Sequence, residues 1–232
     1  MEAENLKDRL ERVRERIRQA AKACGRPESD IRLVAVSKTM PVEIVKEAID
    51  IGMTDFGENY IQEAREKITT LSAHPVTWHY IGHLQSNKAK YAVRMFDLIH
   101  SVDSLKLAKE LGKYAKKIDK VQAILIQVNV AKEESKSGVY IEDTLRLVRE
   151  ASQLENIAVK GLMTMPPYFN TPEKARPFFT NLRQLRDQIK NENMPNISME
   201  ELSMGMTGDF EAAIEEGATM VRVGTAIFGE RH

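Results

Sequence analysis

One cysteine, Cys24, stands in 232 residues. That excludes an intramolecular disulfide and a zinc site built on cysteines, and it suits a reducing compartment. Long apolar runs are missing too, and no stretch reaches the ~20 residues a helix needs to cross a bilayer. The first ten residues are charged rather than apolar, which argues against a secretory signal peptide. These absences predict a cytoplasmic protein that stays out of the membrane. Charge of one sign is lacking as well: Lys plus Arg and Asp plus Glu number 34 each. Nucleic-acid binders carry a basic excess or stripe, so no nucleic-acid partner is expected. The lysines of residues 113–120 have Leu111, Ala115 and Ile118 as apolar companions and read as the solvated face of a helix.

What is present is a globular composition, 42% hydrophobic and 29% charged. The length is generous for a minimal domain and short for two, so a single domain over residues 1–232 is expected. Its first segment, residues 1–25, reads as an amphipathic helix, with Leu6, Leu10, Val13, Ile17, Ala20 or Ala21, and Cys24 on one stripe. Cys24 is therefore expected to be buried, and Gly25 and Pro27 end the helix.

An alternation of elements then begins. Apolar runs at residues 31–37, 53–56, 76–81, 98–102, 121–130, 157–163, 201–204 and 219–223 predict eight strands. Helical patterns follow them: one opened by Pro41 and ended by Gly52, then residues 60–68, 86–91, 105–118, 141–154, 172–189 and 209–216. Repeated βα units predict a parallel sheet. Eight of them favour a closed (β/α)₈ TIM barrel over residues 31–229, an α/β fold with an extra N-terminal helix. An open doubly wound sheet is the alternative.

In such a barrel, binding and catalytic groups gather at the C-terminal ends of the strands. Lys38 directly follows the first strand. In a plain loop it is a surface lysine. At a barrel mouth, a partly desolvated amine loses proton affinity and becomes nucleophilic toward an aldehyde. Residues 203–209 join the seventh strand to a helix. Their backbone N–H groups, Ser203, Thr207 and the helix start can face an anion, or the segment is a tight turn with Asp209 as N-cap. Residues 221–226 supply Gly224, which permits close backbone approach, and the Thr225 hydroxyl. Barrel proteins often hold phosphate between the loops after strands seven and eight.

Arg222 lies within an apolar run and is expected to point inward, where it needs an acceptor. A ligand ring nitrogen is one option, and the carboxylate of Asp209 or Glu58 is another. Asn59 and Tyr60, after the second strand, are further candidates to touch a ligand. His79 and His83 read as structural histidines, and no metal set is expected. Met163, Met165, Met204 and Met206 read as adaptable packing at the mouth or core.

The segments Ala35-Val36-Ser37-Lys38-Thr39, Phe56-Gly57-Glu58-Asn59-Tyr60, Trp78-His79-Tyr80-Ile81-Gly82, Leu84-Gln85-Ser86-Asn87-Lys88, Gly161-Leu162-Met163, Ser203-Met204-Gly205-Met206 and Arg222-Val223-Gly224-Thr225-Ala226-Ile227-Phe228-Gly229 together resemble the YggS/PROSC family, in family order and over nearly the whole chain. The resemblance implies a barrel like the N-terminal domain of alanine racemase. It implies pyridoxal 5′-phosphate (PLP) held as a Schiff base on Lys38. Ser203, Gly224 and Thr225 would hold the phosphate, and Arg222 would face the pyridine nitrogen. An arginine there keeps that nitrogen unprotonated and weakens the ring as an electron sink. Thr207 departs from the serine more usual in the family but retains the hydroxyl.

Related racemases have a second domain that supplies a catalytic tyrosine. Only residues 224–232 follow the eighth strand here, so no second domain is expected and one face of the cofactor should be open to solvent. Racemisation needs proton transfer on both faces and is not expected. The resemblance implies instead a PLP-binding protein without turnover that serves vitamin B6 and amino-acid homeostasis, a monomer or weak dimer with PLP-dependent apoenzymes as recipients. The alternatives are a fold-type III amino-acid racemase, an aldolase-type lysine-imine enzyme, and a regulatory protein for which PLP is only a ligand. Whether the loop of residues 132–138 closes over the cofactor stays open.

Overall fold

The computed structural model describes residues 5–230; the first four residues of the expected N-terminal helix and the last two of the chain lie outside the described residues. Helix α1 (Leu6–Ala23) starts at Asn5, whose side chain accepts from the Asp8 amide at 2.9 Å, a standard N-cap. It buries Leu6, Leu10, Val13, Ile17, Ala20 and Ala21, each large side chain contributing roughly 1.5–3 kcal/mol. Cys24 is only half-buried: it ends the helix, and its thiol donates to the Ala21 carbonyl at 3.3 Å.

Eight strands follow: β1 (Arg32–Val36), β2 (Asp55–Glu58), β3 (Thr77–Tyr80), β4 (Leu98–Val102), β5 (Gln122–Gln127), β6 (Ile157–Met163), β7 (Ile197–Ser203) and β8 (Met220–Val223). They pair in chain order and close between β1 and β8, every pair parallel. The open doubly wound alternative is thereby excluded. Helices α2 (Val42–Asp50), α3 (Ile61–Thr70), α4 (Ala89–Met95), α5 (Leu105–Lys116), α6 (Ile141–Ala151), α7 (Arg176–Lys190), α8 (Phe210–Glu215) and α9 (Thr225–Phe228) alternate with them.

The N-terminal helix is not an appendage. Since α9 has only four residues, the ring lacks a full helix after β8. Helix α1 packs against α8, α9 and α2 and fills that place. Arg9 donates to the Ile227 carbonyl at 2.7 Å, and Arg26 donates to the Ile214 carbonyl at 2.8 Å. These bonds fasten α1 to both ends of the gap.

Three strands differ from expectation. β2 sits two residues later, because Gly57 and Glu58 look like a loop yet pair with His79 and Tyr80. β5 ends at Gln127, where the chain leaves the sheet for the mouth. β7 begins four residues earlier than its apolar run, through a polar half in which Met199 adopts φ 49°.

Side chains alternate across each strand. The barrel interior takes Val34, Leu98, Leu125, Met163 and Met220 as a small apolar layer, while Phe56, Phe96, Phe179 and Phe210 pack in the larger core. Where β6 meets β7 the register shifts at Gly161. A Cβ on Gly161 would stand 1.8 Å from the Glu201 carbonyl oxygen. Gly161→Ala therefore forces β7 away, and urea unfolding should show a loss of about 3 kcal/mol or more. An unchanged midpoint would contradict this account of the β6–β7 contact.

Candidate functional site

Along β1 Val34 faces the barrel interior; Ser37 bonds to groups on the helix side, and Lys38 stands in the turn that follows the strand. Its backbone is clamped from outside. Lys67 of α3, almost fully buried, donates to the Ser37 carbonyl at 2.6 Å, to Glu58 Oε1 at 2.8 Å and to Glu63 Oε1 at 2.6 Å. The Ser37 hydroxyl donates to the same Glu58 oxygen at 2.6 Å, and the Thr39 amide donates to Glu63. Thr39 is held at φ 64°, an unfavourable state for a β-branched residue. Burial pushes the Glu58 carboxyl above its ordinary value, against its bonds to Lys67 and Ser37. Glu58 thus serves this clamp, facing the helices rather than Arg222.

Gly224 and Thr225 follow β8, beside β1 across the closing seam. Gly224 is buried and Thr225 exposed. Asn59 follows β2 on the other side of β1; its Oδ1 is buried and has no hydrogen-bond partner among the described residues. Tyr60 is 56% exposed. Ser203 ends β7, next to β8. Lys38, Asn59, Ser203, Arg222, Gly224 and Thr225 thus come from one arc of four neighbouring strands.

The loop after β7 is narrower in its means than the sequence suggests. Gly205 takes φ +92°, and a Cβ there would meet the Ala213 Cβ at 2.6 Å. The Met206 amide donates to Asp209 Oδ1 at 2.7 Å, and the Asp209 and Phe210 amides donate to the Met206 carbonyl. Asp209 therefore stands at the N-cap position with its carboxylate turned back into the loop. It makes no hydrogen bond to Arg222.

Arg222 points inward, as expected, and is buried. Its Nη1 donates to Ser203 Oγ at 2.5 Å and its Nη2 to the Thr164 carbonyl at 2.8 Å. Those bonds use two of the five N–H groups a guanidinium carries. Burial draws its pKa down to about 10, partly opposed by the charge of Asp209, so it remains cationic at neutral pH. Beneath it a line of polar groups crosses the barrel. Ser203 Oγ lies 2.9 Å from His100 Nδ1, His100 Nε2 lies 2.9 Å from His79 Nδ1, and His79 Nε2 lies 3.1 Å from Asp55 Oδ1. The sequence reading had His79 as a buried structural histidine and missed His100 and Asp55. The signal for His100 was available: a histidine at an inward position of the apolar strand β4.

The rim over β5, β6 and β7 holds a cavity of about 390 Å³ lined by residues including His83, Asn129, Lys136, Met165, Tyr168 and Met206. Loop 132–138 forms one wall and is tied down. Asn129 Nδ2 donates to the Glu133 carbonyl at 2.8 Å, and Gln127 Nε2 donates to the Ser137 carbonyl at 3.0 Å. Ser137 Oγ lies 3.1 Å from Nδ1 of the exposed His83. Met163 and Met204 are core, whereas Met165 and Met206 reach the cavity. Among the described residues no group of three metal-ligating side chains forms, and no helix is long and apolar enough to cross a membrane.

This geometry agrees with what the chain is similar to. The family profile described as "Alanine racemase, N-terminal domain" matches residues 9–232. A protein of Aquifex aeolicus (strain VF5) named "Pyridoxal phosphate homeostasis protein" is 47% identical over 98% of this chain and 99% of its own. The chain belongs to that family. A protein of the same name from Escherichia coli (strain K12) is 40% identical over 96% of this chain and 95% of its own. The solved structure of PipY from Synechococcus elongatus PCC7942 with PLP bound superposes with a TM-score of 0.85 at 35% identity, covering 97% of this chain and 100% of that one. Alanine racemase of Clostridium difficile 630, at 18% identity and TM-score 0.75, shares the fold; this chain covers 57% of it.

Burial holds His100 neutral in the fold, with His79 and Arg222 adding to the drop from its ordinary 6.5. The unfolded chain protonates this histidine below 6.5 while the folded chain does not, so stability falls with pH through that window. Between pH 7 and pH 5 this one group should cost up to about 2 kcal/mol of urea stability. His100→Gln should flatten the slope by that amount; an equal slope in both proteins would refute neutral burial.

Proposed function

We propose that this chain binds PLP at the barrel mouth, linked through a Schiff base to Lys38, and that the whole chain acts as one cofactor-holding domain. The reading is carried by one observation: β1 and β8 pair through Ala35 and Val223, so the segment that holds Lys38 and the segment that holds Gly224 and Thr225 leave adjacent strands, with the buried Arg222 on β8. The residues fit the group. Arg222 has N–H donors to spare for the pyridine nitrogen, and Asn59 Oδ1 is buried without a partner among the described residues. Gly224 and Thr225 serve the phosphate. The Ser203 hydroxyl already lies between His100 and Arg222, so its part is to support Arg222. When bound, PLP supplies an aldehyde carbon for the lysine amine and a conjugated ring.

Holding and delivery to PLP-dependent apoenzymes, rather than turnover, is the reading best supported. A cationic arginine at the ring nitrogen weakens carbanion stabilisation. Burial raises the Tyr80 hydroxyl to about 12, and it donates to the His83 carbonyl at 3.1 Å, which unsuits it as a proton shuttle at neutral pH. The names of the relatives support a part in PLP homeostasis, and the PLP-bound neighbour supports PLP binding. One unpaired cysteine suits a cytoplasmic setting.

The protein loaded with PLP should be coloured, and borohydride reduction should fix the cofactor on Lys38, read by peptide mass spectrometry. Lys38→Ala should abolish the adduct. A colourless protein with unmodified Lys38 overturns the reading. Rapid α-proton exchange on alanine, lost in Lys38→Ala, would favour the racemase instead.

A further inference from the structure

We propose that Asp55, His79, His100 and Ser203 form a one-way hydrogen-bond relay that fixes the Arg222 guanidinium in place for the cofactor's pyridine nitrogen. The proposal rests on the reading of Arg222 given above and extends it to residues that never approach the cofactor.

The direction of the relay follows from counting donors. An ionised carboxylate only accepts, so Asp55 takes the proton of His79 Nε2. A neutral imidazole then has Nδ1 as acceptor, so His100 Nε2 must carry a proton and give it to His79. That leaves His100 Nδ1 to accept from the Ser203 hydroxyl, whose lone pairs accept from Arg222 Nη1. Every donor points from Arg222 toward Asp55, with a cation at one end and an anion at the other. The hydrogen bonds from His79 and Thr54 help hold Asp55 ionised against its burial. The reverse order leaves a polar hydrogen without an acceptor. With His100 protonated on Nδ1, both His100 and Arg222 would donate to Ser203 Oγ, and the hydroxyl proton would lose its acceptor.

The relay is where Arg222 gets its orientation. No carboxylate grips the guanidinium; its two bonds go to Ser203 Oγ and the Thr164 carbonyl. The carbonyl is fixed by β6 and by Thr164 Oγ1, which donates to the Val128 carbonyl at 2.8 Å. The hydroxyl can rotate, and only His100 selects the rotamer that offers Arg222 a lone pair. His79 and His100 are fully buried, so water does not stand in for a missing partner. The far end opens on the opposite face, where Asp55 also faces Arg32 at 3.6 Å. Asp55 lies one residue before Phe56, which is level with Ala35. Lys38 is four residues above that level, or about 13 Å along the strand. An effect of Asp55 on the cofactor therefore has to travel through the relay.

Replacing an orienting aspartate by asparagine inverts an imidazole tautomer while keeping shape. In Asp55→Asn the amide can donate to His79 Nε2, which turns the relay round and sets His100 against Arg222. The expected result is at least 10-fold weaker PLP binding by the apoprotein and a shifted visible band of the bound cofactor. Arg32→Ala, which removes only the exposed guanidinium facing Asp55, should stay within twofold of the parent. His79→Gln, whose amide can accept from His100 and donate to Asp55, should stay within threefold. Nitrogen-15 spectra of the wild-type apoprotein should show His79 and His100 neutral and protonated on Nε2 from pH 6 to 8. An imidazolium or an Nδ1–H form at either histidine overturns the relay, even if Asp55→Asn fails to fold. So does Asp55→Asn binding within twofold with an unchanged spectrum. If wild-type protein takes up no PLP while both tautomers are as stated, the cofactor reading fails and the role given to the relay falls with it, while the hydrogen-bond order stands.

Discussion

The pairing of β1 with β8 is the contact on which the rest depends. Four residues on each strand align, Arg32 with Met220 through Ala35 with Val223. This closes the sheet and removes the two edges an open sheet would expose. It also makes neighbours of the segments that follow β1 and β8, which hold Lys38 and Gly224 and lie near opposite ends of the chain. The register fixes more than adjacency. Because side chains alternate, a slip of one residue would turn Val34 toward the helices and bring Ser37 inward. The short α9 leaves the seam uncovered from outside, and α1 covers it with six buried side chains and two arginine bonds to backbone carbonyls. The N-terminal helix therefore contributes to the site by holding the seam shut.

Around that seam lie two buried polar systems, one on each face of the sheet. Outside, Lys67, Glu58 and Glu63 grip the Ser37–Thr39 backbone. Inside, a line of polar groups runs from Asp55 to the Arg222 guanidinium. Buried charges of this kind are poor stabilisers compared with apolar packing, because desolvation offsets most of the attraction. What they provide is placement. Thr39 stays at a positive φ because the Glu63 carboxylate and the loop geometry hold it there, an unfavourable conformation one residue beyond the lysine. Polar groups on both faces thus act on two of the points by which a ligand would be held.

Most of the architecture was legible in the sequence, for physical reasons. A parallel sheet covered on both faces writes its strands as apolar runs, and β4, β5 and β6 read clearly. β2 was displaced because Gly57 and Glu58 look like loop residues, and β7 because its first half carries Ser198 and Glu200. The same polar interior hid the relay: nothing local marks Asp55, His79, His100 and Ser203 as neighbours, since they come from four different strands. Arg222 was legible as a buried cation, but its acceptors were not. Both carboxylates nominated for it turned out to be engaged elsewhere, Glu58 with Lys67 and Asp209 with the Met206 amide. Completion of the helix ring by α1 was equally hidden, because its amphipathic stripe says only that it packs, not where.

The relay bears on the choice between holding and turnover. A site that uses its ring as an electron sink gains from a protonated pyridine nitrogen, which calls for an acidic partner. In the proposed site the partner would be a guanidinium, which cannot accept a proton, and its charge is tied through three side chains to an anion on the opposite face. Reversing that preference needs more than replacement of Arg222. A carboxylate in its place would meet the Ser203 hydroxyl and a neutral His100, and would be driven by burial to take up a proton. The interior of the barrel, not only its rim, is therefore built around a cation beneath the ligand. That arrangement suits a site which grips an aldehyde cofactor at its amine, phosphate and ring-nitrogen contacts and leaves its chemistry for another protein.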